Sequence, residues 1–214
     1  PSLGSIVSSY DTDPDSSYFK THALHAAVYD EDLEKVKKII SRGRYDVTHE
    51  DAYGRTPVHL AASNGNVAVL WQLLHARAGD VPLHRVDAKG ATPLHRAVDG
   101  GHAEAAEMLL ERGCPLDISD ELGNTVLHLS VRRDAKDLTS RLLRKGASPD
   151  LINKSTPPWA GVTGPEFIKK RCQSAYCQGK GWMTPLMLAC GIPDAAFAEI
   201  LLDYDANPEE RIMR

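Results

Sequence analysis

The sequence lacks the features that would place it in a membrane, in the secretory pathway or on nucleic acid. No stretch approaches the ~20 consecutive apolar residues that a membrane-spanning helix needs. The first twenty residues have neither a basic start nor an apolar segment, so no signal peptide is expected. The net charge of −4 over 214 residues is mild, so no nucleic-acid partner is expected.

Cysteine is scarce. Four cysteines are too few for a disulfide-stapled chain of this length, which favours reduced thiols and therefore the cytoplasm or the nucleus. Cys172 and Cys177 have a C-x4-C spacing, but no second pair completes a zinc site. We therefore expect no metal.

Catalytic motifs are missing as well. The chain contains no G-x-S-x-G, no phosphate-binding loop and no H-E-x-x-H. No spacing of nucleophile and base supports an active site. The sequence thus predicts a non-enzymatic protein without a cofactor.

What the sequence does contain is an internal repeat. The tetrads TPVH, TPLH, TVLH and TPLM begin at Thr56, Thr92, Thr125 and Thr184. A weaker copy, HALHAA, precedes them and contains His25. The tetrads recur at about 33 to 36 residues, and the last interval is one period plus an insert. Such a period is typical of repeat proteins, in which each unit buries its apolar face against its neighbours.

The unit that begins at Thr92 shows why each repeat is predicted to form two helices. The hydroxyl of Thr92 can cap a helix, and Pro93 suits the first helical position because its missing N–H would lack a partner there. Apolar residues at helical spacing follow, then a glycine break, then a second apolar stripe that includes Leu109. Gly113 allows the backbone to take a left-handed conformation just after the second helix ends. Each unit is therefore predicted to be a helix, a tight turn, a second helix and an extended loop.

These motifs resemble the ankyrin repeat family. DAYGRTPVHLAASNGN at 51–66 and DAKGATPLHRAVDGGH at 87–102 match its pattern closely, and DELGNTVLHLSVRRDA at 120–135 matches it less fully. The resemblance implies an all-α fold, an ankyrin-repeat solenoid of stacked helix-turn-helix units with β-turn fingers. It also implies that the periodic histidines bond to backbone in the neighbouring turn. Geometry also argues against a metal shared by these histidines, because packed helices lie about 8–10 Å apart and zinc–nitrogen bonds are about 2.1 Å long.

The resemblance divides the chain into seven segments. A polar lead-in (1–19) precedes a first repeat (20–50) that serves as a cap with a polar outer helix. The remaining predicted segments are repeats at 51–86, 87–119 and 120–153, an insert at 154–179, and a fifth repeat with the C-terminal end at 180–214.

For function, the resemblance implies a scaffold or adaptor that binds a protein partner through its finger tips and concave helix ends. Carried over by position, and with the basic residues of the insert added, the predicted contact residues are Tyr29, Asp30, Tyr53, Arg55, Asn64, Lys89, Asp99, Asn124, Arg132, Arg133, Lys169, Lys170 and Arg171. Residues 121–180 contain 11 lysines and arginines against 5 acidic residues, so an acidic contact surface on the partner is expected. The same excess of lysines and arginines is also explained by a solvent-exposed basic face that binds no partner.

Two other functions stay open from the sequence. The chain could be the regulatory part of a larger enzyme, channel or receptor that senses an anionic small ligand, or it could inhibit a transcription factor. We expect a monomer or part of a larger chain.

Three departures from the repeat pattern carry further expectations. Trp71 stands where the family usually has a charged residue; it is either a partner anchor or, as favoured here, buried beneath its own longer loop. The insert is either a recognition element or a tolerated surface insertion, with a short helix expected over 164–176. The last helix, with Phe197, Ile200, Leu201 and Leu202, has no following repeat in this sequence, and an uncapped end would expose apolar surface. Three explanations stay open: the parent chain continues, the last helix is polar enough, or a partner covers it.

Overall fold

The computed structural model describes residues 17–43, 45–76, 81–151, 153, 184–190 and 196–204. The chain divides into two compact units, Pro1–Cys114 and Pro115–Arg214. The described parts of these units contain ten helices.

The first unit contains three helix pairs. Its helices are α1 (Ser17–Tyr29), α2 (Leu33–Ser41), α3 (Pro57–Asn64), α4 (Val67–Leu74), α5 (Pro93–Asp99) and α6 (Ala103–Glu111). The two helices of each pair contact one another. The first helices stack as α1, α3 and α5, and the second helices stack as α2, α4 and α6. Each pair therefore buries its apolar face against the next pair.

The start of each first helix follows from the threonine tetrad. At α5, Thr92 Oγ1 accepts a hydrogen bond from the His95 amide at 3.4 Å, and His95 Nδ1 accepts one from the Thr92 amide at 3.3 Å. Pro93 occupies the first turn, as the sequence predicts. Leu94 and Ala97 are fully buried on the same helix. The reciprocal bonds satisfy two amides that a helix start otherwise leaves without partners.

The second unit repeats this arrangement. Its described helices are α7 (Val126–Arg132), α8 (Lys136–Arg144), α9 (Pro185–Cys190) and α10 (Ala196–Asp203). Within the unit, α7 contacts α8 and α9, while α10 contacts α8 and α9. Ser130 and Thr139 are buried between α7 and α8, where their hydroxyl oxygens lie 2.9 Å apart.

The polar outer helix predicted for the first repeat is present in α2. Asp32 caps it by accepting the Lys35 amide at 3.0 Å. Lys35, Lys37 and Lys38 are exposed, while Val36 on the inner side is fully buried. The apolar stripe is thus narrow, as a helix at the end of a stack requires.

The favoured expectation for Trp71 is wrong. Trp71 is not buried beneath its loop, because the residue is 49% exposed on the outer side of α4. On α10, Phe197 and Leu201 are fully buried within the second unit, whereas Ile200 and Leu202 are partly exposed. Lys136 of α8 lies above the Phe197 ring, with Nζ 5.7 Å from its centroid. The contacts of α10 with α8 and α9 bury this side of the helix.

Several predictions fall on residues outside the described ranges. They concern most of the lead-in, the whole insert with its expected helix, the pair Cys172 and Cys177, and the last ten residues. The repeat boundaries stay predictions, although α1 begins at Ser17, three residues before the boundary placed at residue 20. Among the helices that the structure describes, none is long and apolar enough to cross a membrane.

Candidate partner-binding surface

Each described finger is built around one aspartate. Asp51, Asp87 and Asp120 use one carboxylate oxygen to accept the amides two and four residues later, at 2.7–3.1 Å. A glycine three residues after each aspartate has a φ of +69°, +70° or +78°, and its amide bonds back to the aspartate carbonyl at 2.8–2.9 Å. The side chain and the glycine together fix the turn, so residues between them are held at the finger tip.

The second carboxylate oxygen distinguishes the fingers. In the first finger, Asp51 pairs with Arg55 at 2.7 Å. In the second, Asp87 binds Arg96 of α5, with Nε and Oδ2 2.6 Å apart. Asp120 instead accepts the Asn124 side-chain amide at 3.0 Å. Fingers of identical backbone thus present different side chains, which is how a repeat surface acquires specificity.

Tyr53 and Arg55 form the most exposed aromatic and basic pair among the described finger residues. The Tyr53 side chain is 65% exposed, and the Arg55 guanidinium lies 4.8 Å from its ring centroid. Arg55 is oriented from the other side by Asp51. The Tyr53 carbonyl accepts the amide of Ala88 at 2.9 Å, which joins the first finger to the second. The pair is therefore preorganised before a partner arrives.

The periodic histidines join successive repeats, as the resemblance implies. His25 Nε2 lies 2.9 Å from the Arg55 carbonyl, and His59 Nε2 lies 3.1 Å from the Ala91 carbonyl. His59 Nδ1 accepts the Thr56 amide at 3.1 Å, so the proton is on Nε2. Within the described ranges, no three histidine, cysteine, aspartate or glutamate side chains are placed to hold a metal ion.

Burial favours the neutral form of two side chains, the His59 imidazole and the Cys114 thiol. Loss of solvent around the buried imidazole lowers the pKa of His59 below its ordinary value of 6.5. Burial also raises the pKa of the Cys114 thiol to about 12, which keeps it protonated and unreactive. Both groups are therefore neutral parts of the core.

The His59 shift predicts how stability depends on pH. The unfolded chain binds a proton at His59 near its ordinary pKa, whereas the folded chain resists protonation to lower pH. Stability is thus complete above about pH 6.5 and falls as the pH decreases from there towards the folded pKa. Urea unfolding at pH 7.5 and 5.5 measures this loss. His84→Gln, at an exposed position, should keep the full pH dependence, whereas His59→Gln should reduce it; equal pH dependence in both variants would contradict this assignment.

The predicted contact residues other than Tyr53 and Arg55 differ in their exposure. Tyr29, Asp30 and Lys89 are exposed, and Asn64 and Asp99 are partly exposed at the ends of α3 and α5. Arg132 and Arg133 are exposed at the end of α7 in the second unit. Lys169, Lys170 and Arg171 lie outside the described residues. Asn124 departs from the expectation.

Asn124 is buried, with 2% of its surface exposed. Its side chain bonds to Asp120 and accepts a hydrogen bond from the Asn153 amide at 2.8 Å. The residue therefore holds its finger to the following segment instead of facing a partner. Its neighbour Leu122, 50% exposed, occupies the tip of that finger.

The sequence interpretation missed a second exposed surface, on the outer helices of the first unit. Trp71 stacks on His75 with ring centroids 4.0 Å apart and planes 24° apart. Glu104, Glu107 and Glu111 of α6 lie beside them. The signal was available, since Trp71 occupies a position at which the repeat pattern favours a charged and hence exposed residue.

Helix pairs joined by aspartate fingers and inter-repeat histidines define a helical repeat protein. The family model described as Ankyrin repeats (3 copies) matches residues 5–83, 24–120 and 79–153. The chain therefore belongs to the ankyrin repeat family, and the predicted all-α fold is confirmed within each unit.

Individual relatives share the repeats. Ankyrin repeat domain-containing protein 46 of Rattus norvegicus is 37% identical over 60% of this chain and 53% of that protein. Transient receptor potential cation channel subfamily A member 1 of Homo sapiens is 32% identical over 63% of this chain and 12% of that protein. Putative ankyrin repeat protein L92 of Acanthamoeba polyphaga mimivirus is 44% identical over 24% of this chain and 13% of that protein. The chain thus spans from about an eighth to about half the length of these relatives.

Proposed function

We propose that the chain is a non-enzymatic scaffold or adaptor that binds a protein partner through its finger tips and the ends of its first helices. Ankyrin repeats are generally protein–protein interaction modules, and this chain belongs to that family. The observation that carries the proposal is the Tyr53–Arg55 pair. Tyrosine and arginine are the residues most often found at the energetic centre of interfaces, and here both are fixed in place by Asp51.

Other exposed side chains lie on the next finger and at the end of α1. Lys89 stands on the next finger, directly after Ala88, whose amide bonds to the Tyr53 carbonyl. Tyr29, at the end of α1, adds a second exposed aromatic ring. A partner that contacts these residues meets two aromatic side chains and two cations. An acidic partner surface suits this composition.

In the second unit, the proposed contact residues are Arg132 and Arg133. Both side chains are exposed at the end of α7, the helix position that in the first unit is occupied by Asn64 and Asp99. The basic residues of the insert would add to this charge. We propose the cytoplasm or the nucleus as the compartment, on the ground of the sparse cysteines.

The test is capture of partners from cell extract, followed by affinity measurements on the partner recovered. Tyr53→Ala combined with Arg55→Ala should weaken binding by about tenfold or more, as expected when central interface residues are truncated. The control variant combines Lys38→Ala with Arg42→Ala, two exposed cations in the last turn of α2 and at its C-cap. Equal affinity of the wild type and the Tyr53/Arg55 variant would refute the proposed surface.

A copy lacking residues 155–179 separates the roles of the insert and the repeats. Loss of the same partner upon this deletion would assign recognition to the insert and its basic flank. Retention of the partner would assign recognition to the regular surface.

The likeness to a cation channel supports a second candidate. The chain would then be a regulatory part of a larger protein, and its basic segment, residues 121–180, would sense an anionic small ligand. Thermal unfolding in the presence of nucleotides and inositol phosphates tests this candidate. Absence of any shift in the unfolding temperature would count against it.

A further inference from the structure

A cleft on the outer side of the first unit combines features of a binding site that is separate from the finger tips. It has a volume of about 340 Å³ and lies between the end of α4 and the exposed face of α6. Its floor contains Trp71, half of whose large apolar ring is in contact with solvent. A tryptophan is usually among the most buried residues, so its exposure in a cleft suggests a contact surface.

Hydrogen bonds fix the aromatic floor. His75 Nδ1 lies 2.8 Å from the Trp71 carbonyl, and His75 Nε2 receives the Arg112 guanidinium. Arg112 also donates to the Leu74 carbonyl at 2.7 Å. Because Arg112 can only donate, Nε2 is the accepting nitrogen and Nδ1 carries the proton to the carbonyl. The imidazole is therefore held in one orientation, and Trp71 stacks on it.

Carboxylates form the opposite wall. Glu104, Glu107 and Glu111 recur at three- and four-residue spacing, which places them on one face of α6. Glu104 and Glu111 are exposed. Arg112 is the single cation among the residues that line the cleft, and it is engaged with His75 and the backbone. The cleft therefore combines an aromatic face with net negative charge.

We propose that this cleft binds a protein segment that carries an arginine or lysine side chain. The aliphatic stem of such a side chain would lie along Trp71 and Met108, and its cationic head would face Glu104 and Glu111. A cation over the face of a tryptophan gains from the ring quadrupole, and the carboxylates add charge complementarity. This site shares no residue with the finger tips or the ends of the first helices, so it does not depend on the function proposed above.

The test follows the Trp71 indole N–H signal of the full chain by NMR, with the signal assigned by comparison with Trp71→Phe. The probe is a short capped glycine–arginine peptide, and its control is the same peptide with citrulline, which is uncharged, in place of arginine. The arginine peptide should shift the signal saturably, and the citrulline peptide should not. Trp71→Ala, whose binding is followed by the backbone amide signals of α6 instead, should weaken binding by about tenfold, in the range of a cation–π contact that excludes water.

A charge-matched pair of variants tests the carboxylates. Glu104→Gln combined with Glu111→Gln should weaken binding at least several-fold. Glu121→Gln combined with Glu199→Gln removes the same net charge from exposed positions in the second unit and should leave the affinity nearly unchanged. The proposal is overturned if both double variants weaken binding equally, if the Trp71 signal does not move, or if light scattering shows a self-associated chain that the peptide disrupts. In the last case the occupant is a second copy of this chain.

Discussion

Replacement of Asp87 by alanine is expected to lower the free energy of unfolding by about 3 kcal/mol, the usual cost of removing one partner from a buried ion pair. The Asp87 side chain is 1% exposed and pairs with the guanidinium of Arg96, which is itself largely buried. The same carboxylate accepts the amides of Lys89 and Ala91 at 2.8 and 3.1 Å. Alanine would leave a buried cation and two finger amides without their acceptor.

Urea unfolding followed by circular dichroism measures this effect, and Asp51→Ala is the matched control. Asp51 holds the preceding finger with the same amide bonds, but its carboxylate is 15% exposed and its partner Arg55 is more accessible than Arg96. A cost of about 1–2 kcal/mol is therefore expected for the control. Arg96→Ala added to Asp87→Ala should recover part of the stability because no charge stays buried alone. Equal costs for Asp87→Ala and Asp51→Ala would contradict the role given to burial.

The Gly65→Ala variant is expected to lower the free energy of unfolding by about 2–3 kcal/mol. Alanine would be strained in the left-handed backbone conformation of residue 65, and the His102 side chain would lose a hydrogen bond. Gly65 ends α3 with a φ of +69°. A Cβ at this position would lie 2.3 Å from Nδ1 and 2.5 Å from Cγ of the His102 ring. The ring would have to leave its place, and its hydrogen bond to the Ser63 carbonyl at 3.0 Å would be lost.

Gly101→Ala provides the control for backbone strain alone. Its φ is +75°, but a Cβ there would meet no atom within 4 Å. This variant should cost about 1 kcal/mol, the penalty for a non-glycine residue in the left-handed region. In a His102→Ala background the additional cost of Gly65→Ala should fall to the same value. A Gly65→Ala cost that does not depend on residue 102 would rule out the steric explanation.

Much of the fold could be predicted because the signals are local. Thr92, Pro93 and His95 lie within four residues of one another, and their hydrogen bonds form inside one turn of helix. The recurrence of this tetrad located the first helices. The role of the histidines followed from the family resemblance, and the bonds of His25 and His59 to neighbouring repeats agree with it.

The misjudged positions depend on contacts between residues distant in sequence. The burial of Asn124 requires Asn153, twenty-nine residues further on. The cover of Phe197, a question that the sequence left open, likewise comes from α8, which the insert separates from α10 in the chain. Trp71 stays half exposed because neither its stacking partner His75 nor α6 across the cleft covers it. Periodicity identifies which residues are apolar, but it does not say which neighbouring element covers each of them.

Site-specific photocrosslinking tests the central claim, that a protein partner contacts the fingers and first-helix ends, most directly. The full chain would carry p-benzoylphenylalanine at Tyr53, at Tyr29 or at Lys38, all exposed positions of the first unit, and would be irradiated in cell extract. The account predicts that Tyr53 and Tyr29 crosslink to the same partner and that Lys38, on the outer helix α2, does not. A partner that crosslinks at Lys38 and at neither tyrosine would contradict it.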